Sequence, residues 1–220
     1  MIEMIDLYQY GEYNIPIEYN ENMKYMRIHG LADVFTVQAS PRFTIQQTHN
    51  FIESKSEWIE KQLQKYDKNI RNWNKIIQSD SEVYLRNHSR EYCLDVINDS
   101  IIKYKERLGN PNKIFIRCNM SRNWATCSQK HNISFSDNIS YVPEHLIEHI
   151  TYHEMIHLKI DNHPPAFYEV MKEVYPHYEI QVEELRMYEY MIAHKHLNDK
   201  INGWKFRNEG FMSESVKILD

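Results

Sequence analysis

The stretch Tyr152-His153-Glu154-Met155-Ile156-His157 decides how this chain is read. It lies in a run from Val142 to Ile160 that is entered at Pro143 and Glu144 and contains no Gly or Pro after that entry. Val142, Leu146, Ile150, His153, His157 and Ile160 fall along one stripe, so the spacing predicts a helix, which Asn162-His163-Pro164-Pro165 then breaks. One turn of helix separates positions 153 and 157, and both imidazoles can reach a single ion at about 2.0–2.1 Å. Glu154 stands about 100° further round, beside such an ion and not on it, where a general base for a metal-activated water belongs. With 12 His and 21 Glu in the chain, a shuffled sequence would hold roughly 0.06 HExxH strings, so the string alone does not settle the matter. Two further features strengthen it. A pair of unliganded imidazoles on a core-facing stripe would leave nitrogens without obvious partners. Asp161-Asn162-His163 also supplies another imidazole just past the helix end, where a turn could fold it back as a third ligand.

Composition narrows the alternatives. Of 220 residues only 5 are Gly, well below the average of about 7%, and no GxxxxGK(S/T), GxGxxG or GxSxG occurs. Phosphate-cradling loops and the serine-hydrolase elbow are therefore excluded. A net charge of -5 and a pI near 6.2 argue against a protein devoted to gripping nucleic-acid backbone. Cys93, Cys118 and Cys127, odd in number and without a CxxC pair, fit neither a disulfide framework nor a cysteine-based zinc site. The start, MIEMIDLYQYGEYNI, lacks the features of a signal peptide, and no run approaches a membrane span. The expectation is a cytoplasmic globular protein that does not enter the membrane.

Along the chain, residues 13–40 alternate in short apolar and polar steps and read as two or three antiparallel strands ending at Pro41. A helical period follows from Thr44 to about Tyr66, a weaker one from Asn69 to Ile77, and a third from about Ser81 to Leu108, with Gly109 placed to end it. Lys113–Arg117 and Asn132–Ser136 read as strands on either side of a connection through Asn119 to Trp124. Beyond the HExxH helix come helices over Ala166–Val174 and from Tyr178 to about Lys200. Strands, helices, strands, helices in that order indicate an α+β fold with a small antiparallel or mixed sheet.

His153-Glu-Met-Ile-His157-Leu-Lys-Ile-Asp-Asn162-His163, followed by Pro164-Pro-Ala-Phe167-Tyr168, resembles the HExxH, Asn-His and Phe-aromatic pattern of the YgjP-like metallopeptidases, relatives of the SprT-like zincins. Upstream, Ser121-Arg-Asn-Trp124-Ala-Thr-Cys127-Ser128 with Asn132-Ile-Ser-Phe is similar to that family's Trp-Gly-Ser-Cys-Ser segment and the strand after it. The early strands, the helix containing Trp58 and the passage through Leu108-Gly109 occur in the matching order, so the resemblance spans roughly residues 13 to 180. Ala125 and Thr126 replace the Gly-Ser pair, Pro164 stands where Ser is common, and Tyr168 replaces Trp. None of these touches the ligand or base positions.

The resemblance implies a zincin-like fold in which a small sheet packs on the HExxH helix, with additional helices. Along the chain, residues 1–43 are expected to be N-terminal strands, 44–109 a helical segment, 110–180 the catalytic core and 181–220 a C-terminal helix and tail without a counterpart in the family, with 13–180 forming one compact domain and the rest an extension. The resemblance further implies a peptidase with one Zn2+ per chain, His153, His157 and His163 as ligands, Glu154 as base, and a peptide or protein as substrate. The residue chemistry agrees, since three neutral imidazoles leave a coordination position for a water whose pKa zinc lowers to about 7, within reach of a carboxylate base. Arg122, Tyr168, His177 and Tyr178 are candidates for holding the oxyanion. Asn132–Ser136 is the candidate edge strand for an extended substrate, and Trp124 reads as a core or shelf residue. His145 and His149, on the same helix, read as surface or supporting groups. The C-terminal Trp204-Lys-Phe-Arg207, with Phe211 and Met212, could pack or dock. Two other functions stay open: a zinc-containing binding module without turnover, and a DNA-associated protease of the SprT kind.

Overall fold

Gly30 marks a point of close packing in the N-terminal sheet. A Cβ there would stand 2.6 Å from the Phe35 ring and 3.1 Å from Trp58, so only glycine lets these two aromatics close over the strand. The computed structural model describes residues 3–118, 120 and 123–209. The chain divides into two compact units, one of residues 1–84 with the chain from Tyr190, the other of Leu85–Glu189.

In the first unit, β1 (Glu3–Tyr10), β2 (Tyr13–Tyr19), β3 (Arg27–Leu31) and β4 (Val34–Ala39) form a sheet of order β1-β2-β4-β3. The alternation predicts antiparallel strands from Tyr13 onward; β1 precedes that point, and β2 pairs with β4 in parallel. Two helices follow, α1 (Ile45–Glu53) and α2 (Ser56–Ser79). Thr44 and Gln47 cap α1 reciprocally in a capping box. The helical period from Thr44 to Tyr66 is not one helix. Ser54 ends α1, its hydroxyl donating to Phe51 O at 2.7 Å, and α2 then runs unbroken through Asn69–Ile77. Alternate residues of β2 and β4 (Ile15, Ile17 and Tyr19; Phe35, Val37 and Ala39) pack with Ile52 and Ile59 from the helices, each large apolar side chain contributing about 1.5–3 kcal/mol of burial.

The second unit holds α3 (Arg90–Leu108), β5 (Lys113–Arg117), β6 (Ala125–Cys127), β7 (Asn132–Ser136), α4 (Glu144–Ile156), α5 (Pro165–Val174) and the start of α6 (Tyr178–Glu209). Ser89 caps α3 through Tyr92 N, nine residues later than the helical period suggests, and Gly109 ends it at φ +93°. The sheet order is β5-β7-β6, with β5 parallel and β6 antiparallel to β7. Asn132–Ser136 is therefore the central strand and not an edge. Alternation separates the two faces of a strand, here burying Ile133 and Phe135, and carries no information on whether its two edges are paired.

Helix α4 is shorter than its apolar stripe, ending at Ile156. Leu146, Ile147, His149, Ile150, Thr151, Tyr152, Glu154, Met155 and Ile156 are all buried, as expected of a helix enclosed on most sides. Tyr104 of α3 meets Tyr152 at 4.6 Å between ring centroids, and Tyr152 donates to Val170 O at 2.9 Å. From Tyr190 onward α6 belongs to the first unit, where His194 pairs with Asp33 at 2.8 Å and Lys200 with Glu18 at 2.7 Å. No helix among the described residues is long and apolar enough to cross a membrane.

Candidate metal centre

Two of the three expected imidazoles come from the last turn of α4. His153 lies inside the helix and His157 is its C-cap, still in the right-handed region at φ -66°. The chain then leaves the helix and reverses at Asn162, which sits at φ +57°. That left-handed conformation is one Asn tolerates better than most residues. The reversal carries His163 back until its Nε2 is 3.0 Å from His153 Nε2. One nitrogen from each of His153, His157 and His163 lies within 4.8 Å of the others, so the three could hold a metal ion. A tetrahedral centre with bonds of about 2.0–2.1 Å spaces its donors by about 3.3 Å, close to what the chain provides.

The surroundings suit neutral, lone-pair-donating rings. His157 Nδ1 lies 3.0 Å from Ile160 O; an N–H there fixes the tautomer that leaves Nε2 for a ligand role. Phe167, nearly fully buried, underlies all three imidazoles at 4.8, 4.8 and 4.6 Å between ring centroids. Burial, reinforced by the neighbouring imidazoles, pushes the pKa of His153 down to about 3, and burial lowers that of His163. Burial thus favours the neutral, lone-pair-bearing form of His153 and His163.

Glu154 points elsewhere, as its angular position requires. It is 6% exposed, and burial raises its pKa to about 7 against the opposing hydrogen bond from the Cys127 backbone N–H. Its Oε2 is enclosed with no hydrogen-bond partner. A buried carboxylate oxygen left in this way costs stability and is an acceptor waiting for a proton donor.

Periodicity does not reveal β6, which at three residues is too short to show an alternation. Yet β6 is the strand that supplies the Cys127 N–H, and it forms an end of its sheet. Of the other sequence candidates, Tyr168 is half-buried with its ring 6.2 Å from that of His163, and Tyr178 stacks on Tyr168 at 5.5 Å. His177 is exposed. Trp124 is half-buried, and its carbonyl accepts from Ser136 N at 2.8 Å. Arg122, Phe211 and Met212, and the side chains of Trp204 and Phe206, lie outside the described residues.

The model of the YgjP-like metallopeptidase domain matches residues 77–188, just over half the chain. The chain belongs to this family. The matched YgjP-like segment contains the HExxH helix, His163, β6 and the Phe167 floor. Membership makes the protein a metal-dependent peptidase in general terms, acting on peptide or protein. Among solved structures, the metallopeptidase zymogen of Pyrococcus abyssi abylysin is similar at 22% identity over 41% of this chain and 90% of that one, with a TM-score of 0.36. No curated protein matches.

Proposed function

We propose that the chain is a zinc peptidase in which His153, His157 and His163 hold the ion and Glu154 is the general base. The observation that carries this reading is the pairing of three convergent imidazole donors with a buried carboxylate whose Oε2 has no partner. All-imidazole ligation favours zinc among the abundant divalent ions. When bound, the ion supplies Lewis acidity for the peptide carbonyl and acidifies water to near neutrality. Glu154, its pKa raised to about 7 by burial, is matched to take a proton from the attacking water at Oε2 and deliver it to the departing amine. The Cys127 N–H opposes that rise, so Glu154 is able to alternate between charged and neutral forms. An extended peptide would add to the end strand β6, beside Glu154, and not to β7.

A closed structural zinc site would offer a fourth protein donor, whereas the cluster among the described residues has three. Glu154→Gln should retain about one zinc per chain and lose peptide hydrolysis by at least about a hundredfold. Elemental analysis alongside a peptide-cleavage assay reads both. Parental cleavage by the Gln variant would exclude Glu154 as the base.

A further inference from the structure

Beside the metal centre, α5 and the first turn of α6 build an aromatic row that neither the core nor the metal accounts for. Tyr168 lies 6.2 Å from the His163 ring with planes at 33°, and Tyr178 lies 5.5 Å beyond Tyr168 with planes at 30°. Lys172 Nζ, one turn along α5 from Tyr168, stands over the Tyr178 ring at 5.9 Å. Both tyrosines are only half-buried, while the neighbouring Phe167 is fully buried under the three imidazoles. Adjacent residues of one helix thus do different work: Phe167 turns inward as the floor, and Tyr168 stays at the surface next to the exposed His163.

The geometry points to Tyr168, braced from behind by Tyr178, as a specificity-determining shelf that receives an aromatic or large apolar side chain of the peptide adjacent to the bond being cut. Resting on the peptidase reading of the same site, it names the substrate class. Three arguments support it. A half-exposed tyrosine pair beside an open metal centre retains apolar area that a substrate side chain can cover, and aromatic partners gain from offset or edge contacts beyond simple burial. The Tyr178 ring, itself covered by the Lys172 cation, stacks on Tyr168 and holds it in place before substrate arrives, which lowers the ordering cost of binding. Finally, the row starts at a metal-ligand candidate, so a peptide whose carbonyl reaches the ion must pass a flanking side chain over or beside Tyr168.

The test uses zinc-loaded Glu154→Gln protein, so that affinity is read without turnover. A series of hexapeptides identical except for Phe, Leu or Ala at the two central positions is titrated by fluorescence anisotropy. The shelf predicts that Phe peptides bind about tenfold more tightly than Ala peptides. Adding Tyr168→Ala should bring the two within about twofold, whereas Tyr168→Phe keeps the preference because the ring and not the hydroxyl provides it. Equal affinities in the Glu154→Gln protein, or a preference that survives Tyr168→Ala, overturn the shelf. Metal content is measured on each variant, and loss of zinc in Tyr168→Ala overturns it too, since the ring would then serve His163 and not the peptide. The two readings separate cleanly. A Phe preference in binding by a parent protein that cleaves none of the peptides defeats the peptidase and leaves the shelf standing; cleavage without side-chain preference does the reverse.

Discussion

Four histidines stand at intervals of one turn along α4 and its cap, and the two halves of the series have opposite fates. His145, near the start, is exposed and lies 2.9 Å from a Glu184 carboxylate oxygen. His149, next, is 3% exposed, meets Tyr175 edge-on at 4.8 Å, and has an enclosed Nδ1 with no partner. His153 and His157, at the far end, converge with His163. Residue type and spacing are the same throughout. What differs is the element opposite: α6 brings a carboxylate to the first, the cap of α5 brings the Tyr175 ring to the second, and the Asn162 reversal brings a third imidazole to the last pair. A histidine ladder on a helix is thus not a ligand set until another piece of chain closes on it.

The largest effect is expected at the end of the ladder proposed to hold the metal. His153→Ala should lower zinc affinity by more than about a hundredfold and His163→Ala by about ten- to a hundredfold, while His145→Ala leaves it within about twofold. Competition against a chromogenic chelator measures all three. Equal losses for His145 and His153 would erase the distinction between the halves.

A smaller effect tests the middle of the ladder. Burial, with the nearby His145 adding to it, pushes His149 down to a pKa of about 4, against about 6.5 in an unfolded chain. The unfolded state therefore takes up the proton first as pH falls. The stability associated with a neutral His149 is full above pH 6.5 and is lost progressively toward pH 4, by up to about 3 kcal/mol. In metal-free protein, His149→Phe should flatten the fall in urea midpoint across that window. An unchanged slope would mean that His149 is accessible to protons in the native state.

The smallest effect belongs to the start of the helix. Glu184 raises the pKa of His145 through its hydrogen bond, so this pair stabilises below the unfolded pKa and ceases to do so as pH rises through the folded value. Because the imidazole is exposed, Glu184→Gln should cost under about 1 kcal/mol at pH 6 and less at pH 9, by thermal melts at the two pH values.

Much of the candidate site is legible in the sequence alone, because an HExxH string encodes its own geometry: helical spacing puts two rings together and the carboxylate to one side. The third histidine was legible as a possibility, and the signal that completes it, an Asn able to adopt positive φ immediately before it, was present in the sequence. The sheet was much less so. A strand of three residues, Ala125–Cys127, carries no periodicity, yet it holds the amide that faces Glu154. Strand order also leaves no local mark, which is how β7, alternating like an edge, turns out to be flanked on both sides. The helix break at Ser54 was hidden for a related reason. The apolar spacing continues across it, and the local sign at the break, the Ser54 hydroxyl turned back to Phe51 O, is a side-chain bond that periodicity does not register.

Helix α4 ends at Ile156 with His157 as its C-cap, and that ending has an electrostatic consequence. The peptide dipoles of α4 add along its axis, giving its C-terminal end a partial negative charge of about half an electron. The imidazole cluster sits at that end. The backbone thus makes the place electronegative before any side chain donates a lone pair, so a cation is drawn to it and an anionic ligand competing for the same spot is disfavoured.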